Sequence, residues 1–448
     1  MKSHVQATAK GKRRSTEAFL LSGPYALERR KSPPGDTLGR QAHRVLGPRH
    51  KGLAFGKDFV TKALDLVKEA KAFAALAVVL DPGQDPAEPE STWSDHLVDV
   101  GREFSRLCER GGAYWGVLDS ETLAACLPGK TPKQALALAD SLRKKVRGLH
   151  WGTVSVGVAV WPTADFGKQE IFENIVKALD HAAFFGPDQA VAFDAVSLNV
   201  SGDRRYQDGD VAGAMAEYGR ALLLDPREAN VLNSMGVCHG VLENFNRAQE
   251  FFRRARAAAP KDVVPVYNQG LAHMLSGRPD QALEELARAM EMEPGVFEVH
   301  LQTGRVHLLS GDPGKALPYL EQAVELSPKA WAGHKHLADA LAALGRHPEA
   351  ARAYERVLAL HPNDAESLSA LAGVYTALEQ NPDIALSFSR QSVDLCPENG
   401  LFRFRLGELY ERRNSYARAL AHYLAANELG HPCLPAIEKI RGRVLPEG

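Results

Sequence analysis

Three histidines, His239, His273 and His307, recur at intervals of 34 residues and are the residues whose type and spacing first suggest chemistry. A metal centre would need their imidazoles to converge on one ion. A fixed period of this length instead indicates stacked helical units, whose equivalent positions are translated by roughly 10 Å, one helix spacing. The three rings are therefore expected to form a packing ladder, and no metal site is assigned. The five cysteines, Cys108, Cys126, Cys238, Cys396 and Cys433, are few, odd in number and widely spaced, with no CxxC pair. That pattern excludes a disulfide framework and a zinc knuckle, and it suits a reducing cytoplasm. No nucleophile triad, phosphate loop or dinucleotide fingerprint stands out.

The elements behind the period are legible. From Ala195 each unit has a small residue near its eighth position, Ala at position 20, a large residue at 24, Ala at 27 and Pro at 32. The first unit shows Gly202, Ala214, Tyr218, Ala221 and Pro226, and the fourth shows Gly304, Ala316, Leu320, Ala323 and Pro328. The sixth carries one extra residue near Gln380-Asn381-Pro382. Small residues let paired helices approach, the large residue fills the groove between them, and Pro follows the second helix without costing an interior hydrogen bond. This pattern closely resembles the tetratricopeptide repeat family, over seven repeats from 195 to 433. The resemblance implies an all-α superhelical solenoid, and residues 434–448 read as a capping helix and tail.

Members of that family typically bind peptides on a concave surface lined by the first helix of each pair. Carried onto this chain, the resemblance marks Asn230 and Asn233, then Tyr267, Leu271 and Met274. Leu301, Arg305, Lys335 and Asp339 follow, and the last repeat adds Phe404, Glu408, Glu411 and Arg412. A protein or peptide ligand with apolar anchors and a basic end would suit this groove.

Residues 51–194 have a different texture. Apolar runs at 74–80, 113–118, 122–127, 153–160 and 190–193 read as strands, and helices are expected over 96–109, 133–146 and 171–185. Thr131 with Pro132 is the cap of the second of these. The order is that of an α+β domain whose sheet contains antiparallel strands. Together with Leu123-Ala124-Ala125-Cys126-Leu127-Pro128-Gly129 and Asp180-His181-Ala182-Ala183-Phe184, it resembles the GGDEF family of diguanylate cyclases in degenerate form. The resemblance places the signature turn at 119–123 and implies remnant nucleotide or metal positions at Asp81 and Glu121. Thr122 stands in place of the second acid, both signature glycines are gone, and no Lys or Asn occurs from Asp81 to Asp119. Two-metal catalysis needs the missing ligands, so no enzymatic activity and no cofactor are expected.

The chain has 448 residues, 45% hydrophobic and 24% charged, with formal net charge −1, an ordinary globular balance. The charge is uneven: residues 1–57 carry thirteen Lys or Arg against three acids, leaving −11 for the remainder. Residues 1–50 read as a mostly disordered basic arm, suited to an anionic partner or to solvent alone. Ala18-Phe19-Leu20-Leu21 is too short for a secretory h-region, and no apolar run is long enough to span a membrane. The expected protein is a cytoplasmic, bacterial, non-enzymatic scaffold that binds a peptide or helix in the groove, with the α+β domain regulating or dimerising it. The alternative is a signalling protein that senses GTP or cyclic di-GMP.

Overall fold

The computed structural model describes residues 19–20, 45–81 and 90–444. The chain divides into two compact units, Met1–Gln269 and Gly270–Gly448. Most of the basic arm lies outside the described residues. Its last part, however, belongs to the folded domain: Leu46 is fully buried, and the His50 ring meets the edge of Trp115 at 5.0 Å.

The first unit contains a six-stranded sheet made by β1 (Ala54–Phe55), β2 (Phe73–Leu80), β3 (Tyr114–Val117), β4 (Leu123–Pro128), β5 (Val154–Trp161) and β6 (Ala190–Ala192). The spatial order is β1-β3-β4-β2-β5-β6. The central strand β2 runs antiparallel to both β4 and β5, while the outer pairs β1–β3 and β5–β6 are parallel. From β2 to β5 this is the β-α-β-β-α-β order of a split βαβ sheet. The helices are α1 (Gly56–Leu66), α2 (Glu90–Gly111), α3 (Pro132–Arg147) and α4 (Ile171–Ala182).

Alternation along β2 explains why it reads as a continuous apolar run. Phe73, Ala75, Ala77 and Val79 enter one core, shared with α1 and α4, while Ala74, Leu76 and Val78 enter the other, shared with α2 and α3. A strand covered on both faces loses the polar alternation of a half-exposed one. Five of the six strands follow the sequence expectations, and β1 was not among them. Helix α2 begins at Glu90 instead of His96; Trp93 packs against the core ahead of the apolar period that starts at Leu97. Thr131 caps α3 as expected, in a reciprocal capping box with Gln134. The last helix ends at Ala182 and tightens into a 3₁₀ turn, Ala183–Phe185.

Helix pairs begin at Ala195, where Asp194 caps the first of them. In the first unit these are α5 (Ala195–Gln207), α6 (Val211–Leu224), α7 (Ala229–Val241) and α8 (Phe245–Ala258), and the division into units falls within α9 (Val263–Leu275). The packing does not stop at the change of element type. Ile171, Ile175 and Leu179 of α4 share a core with Leu198, Tyr218, Val231 and Met235 of the first two repeats. Lys177 Nζ lies 2.8 Å from Glu217, and Arg220 Nη1 lies 2.6 Å from Glu170. The α+β sheet and the first two repeats thus form one packed body.

The second unit continues the period with α10 (Pro279–Met292), α11 (Phe297–Leu309), α12 (Pro313–Leu326), α13 (Trp331–Ala343) and α14 (His347–Leu360). It ends with α15 (Ala365–Ala377), α16 (Pro382–Leu395), α17 (Gly400–Arg412), α18 (Tyr416–Glu428) and α19 (Leu434–Val444). The small-against-large pairing holds throughout: a Cβ added at Gly202, Gly236, Gly304 or Gly407 would stand within 2.3–2.7 Å of Tyr218, Phe252, Leu320 or Tyr423 respectively. Helix α19 buries Ile437 and Ile440 and leaves Lys439, Arg441 and Arg443 exposed, the polar outer side of a cap.

Candidate functional site

In the α+β domain the Asp81 carboxylate is held by hydrogen bonds within the fold. Asp81 leaves the end of β2, where its Oδ2 accepts from the Thr153 hydroxyl at 2.7 Å and the Asp188 amide at 2.7 Å. Its Oδ1 accepts from the Ser155 hydroxyl at 2.6 Å. Two of these donors, Thr153 and Ser155, stand at the start of β5, and the third precedes β6. Between β3 and β4 Asp119 Oδ1 accepts from the backbone amides of Glu121 and Thr122 at 3.0 and 2.9 Å, and Leu118 N–H donates to Thr122 carbonyl at 2.8 Å. The β3–β4 connection is therefore an Asx turn. Among the described residues there is no cluster of three or more His, Cys, Asp or Glu that could hold a metal ion.

The repeated histidines belong to a packing rule. Position 11 of a first helix meets position 23 of its own second helix: His239 stacks on Phe251 at 5.3 Å, His307 on Tyr319 at 5.6 Å, and Tyr410 on His422 at 5.4 Å. In the first repeat the same two positions hold Arg205 and Glu217, 3.7 Å apart. Burial lowers the pKa of His239, His273 and His307, which favours neutral imidazoles.

The first helices of repeats two and three carry the geometry with the clearest binding content. Asn233 on α7 and Asn268 on α9 are both fully buried. They are joined by a bond from Asn268 Nδ2 to Asn233 Oδ1 at 2.9 Å. Together they hold the main chain of Leu20. The Leu20 amide donates to Asn268 Oδ1 at 2.9 Å, and the Leu20 carbonyl accepts from Asn233 Nδ2 at 3.0 Å and Asn268 Nδ2 at 2.7 Å. Phe19 is buried beside them, stacked on Phe252 at 6.0 Å, over Gly240. A Cβ at Gly240 would stand 2.5 Å from the Phe19 ring, so the missing side chain makes the seat. Sequence reasoning marked Asn233 but not Asn268, one position further along its helix. It also treated Phe19-Leu20 only as too short an apolar run; that run, isolated in a basic segment, was the available signal.

Elsewhere the marked positions are engaged within the fold. Tyr267 and Leu301 are buried, and Met274 is half-buried. Arg305 Nη1 donates to Gln302 at 2.7 Å. Lys335 sits between Asp364 and Glu366 at 3.1 and 2.6 Å. Asp339 accepts the Tyr354 hydroxyl at 2.6 Å, and Phe404 packs on Tyr423 and His431. Glu408 does face open space. With Ala372, Thr376, Arg405 and Arg412 it lines a cleft of about 160 Å³, and burial raises its pKa against the pull of the two arginines. None of the helices is long and apolar enough to cross a membrane, among the described residues.

Residues 267–330, 301–365, 336–383 and 376–430 match the tetratricopeptide repeat family model, and this stretch consists of tetratricopeptide repeats. Among solved structures the chain is similar to PilF of Pseudomonas aeruginosa, at 22% identity over 47% of this chain and 95% of that one, with TM-score 0.44. It is also similar to YrrB, described as a TPR protein with an unusual peptide-binding site, at 20% identity over 41% and 95%, with TM-score 0.35. A tetratricopeptide repeat protein of Parabacteroides merdae aligns at 14% identity over 55% and 96%, with TM-score 0.42. No curated protein sequence matches this chain.

Proposed function

We propose that this protein is a non-enzymatic adaptor that takes an extended peptide on the first helices of its repeats. The observation that carries this reading is the grip of Asn233 and Asn268 on the amide and carbonyl of Leu20. Side-chain amides that satisfy both the N–H and the C=O of one residue hold a chain in extended form whatever its sequence, and an adjoining aromatic seat adds selectivity. The charged cleft at Arg405, Glu408 and Arg412 offers a second, polar surface for the same kind of ligand.

The α+β domain acts as a structural platform for the first repeats. Its β-α-β-β-α-β order supports descent from a cyclase-like palm, and Asp81 now ties β2 to β5. Its ion pairs to Glu217 and Arg220 make it part of the binding body, consistent with a scaffold.

A display library of random twelve-residue peptides, panned on the full-length chain, tests the reading. Enriched peptides are expected to lose at least tenfold in affinity on Asn268→Ala or on Arg405→Ala with Glu408→Ala. No enrichment, or enriched peptides indifferent to all of these changes, would sink it.

A further inference from the structure

We infer that Phe19-Leu20 is the chain's own ligand for the repeat-two and repeat-three site, and that it blocks this site in cis. The inference rests on the proposed peptide-binding reading and names the occupant. Three hydrogen bonds of 2.7–3.0 Å join the Leu20 peptide groups to the two asparagines, which are 213 and 248 residues away in sequence. Every acceptor on that asparagine pair is used. Asn268 Oδ1 takes the Leu20 amide, Asn233 Oδ1 takes Asn268 Nδ2, and both Asn268 Nδ2 hydrogens are donated. An asparagine pair sealed beneath a chain segment would be left unsatisfied if the segment departed with nothing in its place.

The chemistry specifies what fits. The residue in the Leu20 place must have both a free N–H and a carbonyl, which excludes proline. The residue before it must be a flat, large apolar side chain, because the seat is a glycine floor with the Phe252 ring as its wall. Phe252 is itself held in place by Gly236, where an added Cβ would stand 2.5 Å from its ring. An external partner must bring the same pair of features and displace the internal segment. A tethered segment has an effective concentration up to about 1 mM, so a peptide that binds the open site at about 100 μM would bind the blocked chain roughly tenfold more weakly.

Fluorescence polarisation with a labelled peptide of residues 15–25 tests this on full-length protein. Phe19→Ala empties the aromatic seat and Leu20→Pro removes the N–H that donates to Asn268, and neither changes a residue of the repeats. The peptide is expected to bind either variant about tenfold more tightly than it binds the unaltered chain. A peptide with proline in the Leu20 place is expected to lose that binding. Equal affinity for all three chains, or no binding to the opened chains, overturns the inference. Dimers of the unaltered chain that disappear on Phe19→Ala would overturn the cis assignment, since the segment would then seat in a second copy. If the opened chains still enrich library peptides but refuse this one, the adaptor reading stands and the internal ligand falls.

Discussion

Tyr218 donates its hydroxyl to Asp203 Oδ1 at 2.6 Å, across the two helices of the first repeat. Ser234 donates to the same oxygen at 3.2 Å, and Asn199 Nδ2 donates to Oδ2 at 3.0 Å. Burial outweighs these three donors and pushes the Asp203 pKa up from 3.8 to about 7. The folded chain therefore holds this proton more tightly than the unfolded one. The stability it contributes is fully present below about pH 4 and is lost as pH rises through about 7. Urea midpoints at pH 5 and pH 8, followed by tryptophan fluorescence, should fall for the natural chain and fall less for Asp203→Asn. Identical pH slopes for both proteins would assign the effect to other groups.

Glu243, Glu379 and Asn414 sit at φ of 60°, 53° and 59°, at the turn position where other repeats carry Gly209, Gly277, Gly311 and Gly345. A side chain in the left-handed region is strained, and glycine is not. Glu243→Gly and Glu379→Gly should each stabilise the protein by about 0.5–1 kcal/mol, read as a higher denaturation midpoint. A lower midpoint for both would show that local strain is offset by contacts of the glutamate side chains.

Asp81 already accepts two hydroxyls and one amide, which leaves its carboxylate committed to the β2–β5 seam. Isothermal titration of GTP or cyclic di-GMP with Mg²⁺ into the full-length chain at tens of micromolar should give no saturable heat. Asp81→Ala should instead lower stability by about 1–3 kcal/mol, because the donors from Thr153 and Ser155 lose a charged acceptor. A saturable heat abolished by Asp81→Ala would restore the nucleotide-sensing alternative.

The periodic part of the fold was legible because its determinants are local. Position 8 had to be small and position 24 large, and the structure shows Gly202 under Tyr218 and Gly304 under Leu320 for that reason. The strands were legible because β2, β4 and β5 are apolar runs bounded by turn residues, and the Thr131 cap was written in four consecutive residues. Assigning the repeated histidines to packing followed from the period alone, though the stacking partners Phe251 and Tyr319 did not.

What the sequence by itself determined is the menu of elements and the 34-residue period, both set by neighbours a few residues apart. Tertiary structure alone decided three further matters. It turned Asp81 toward Thr153 and Ser155, it merged α4 with the first repeats into one core, and it brought Leu20 to Asn233 and Asn268 across more than two hundred residues. Such pairings carry no period and no local signal. They depend on which surfaces meet when the chain closes, and a buried amide then takes whichever peptide group arrives within hydrogen-bonding distance.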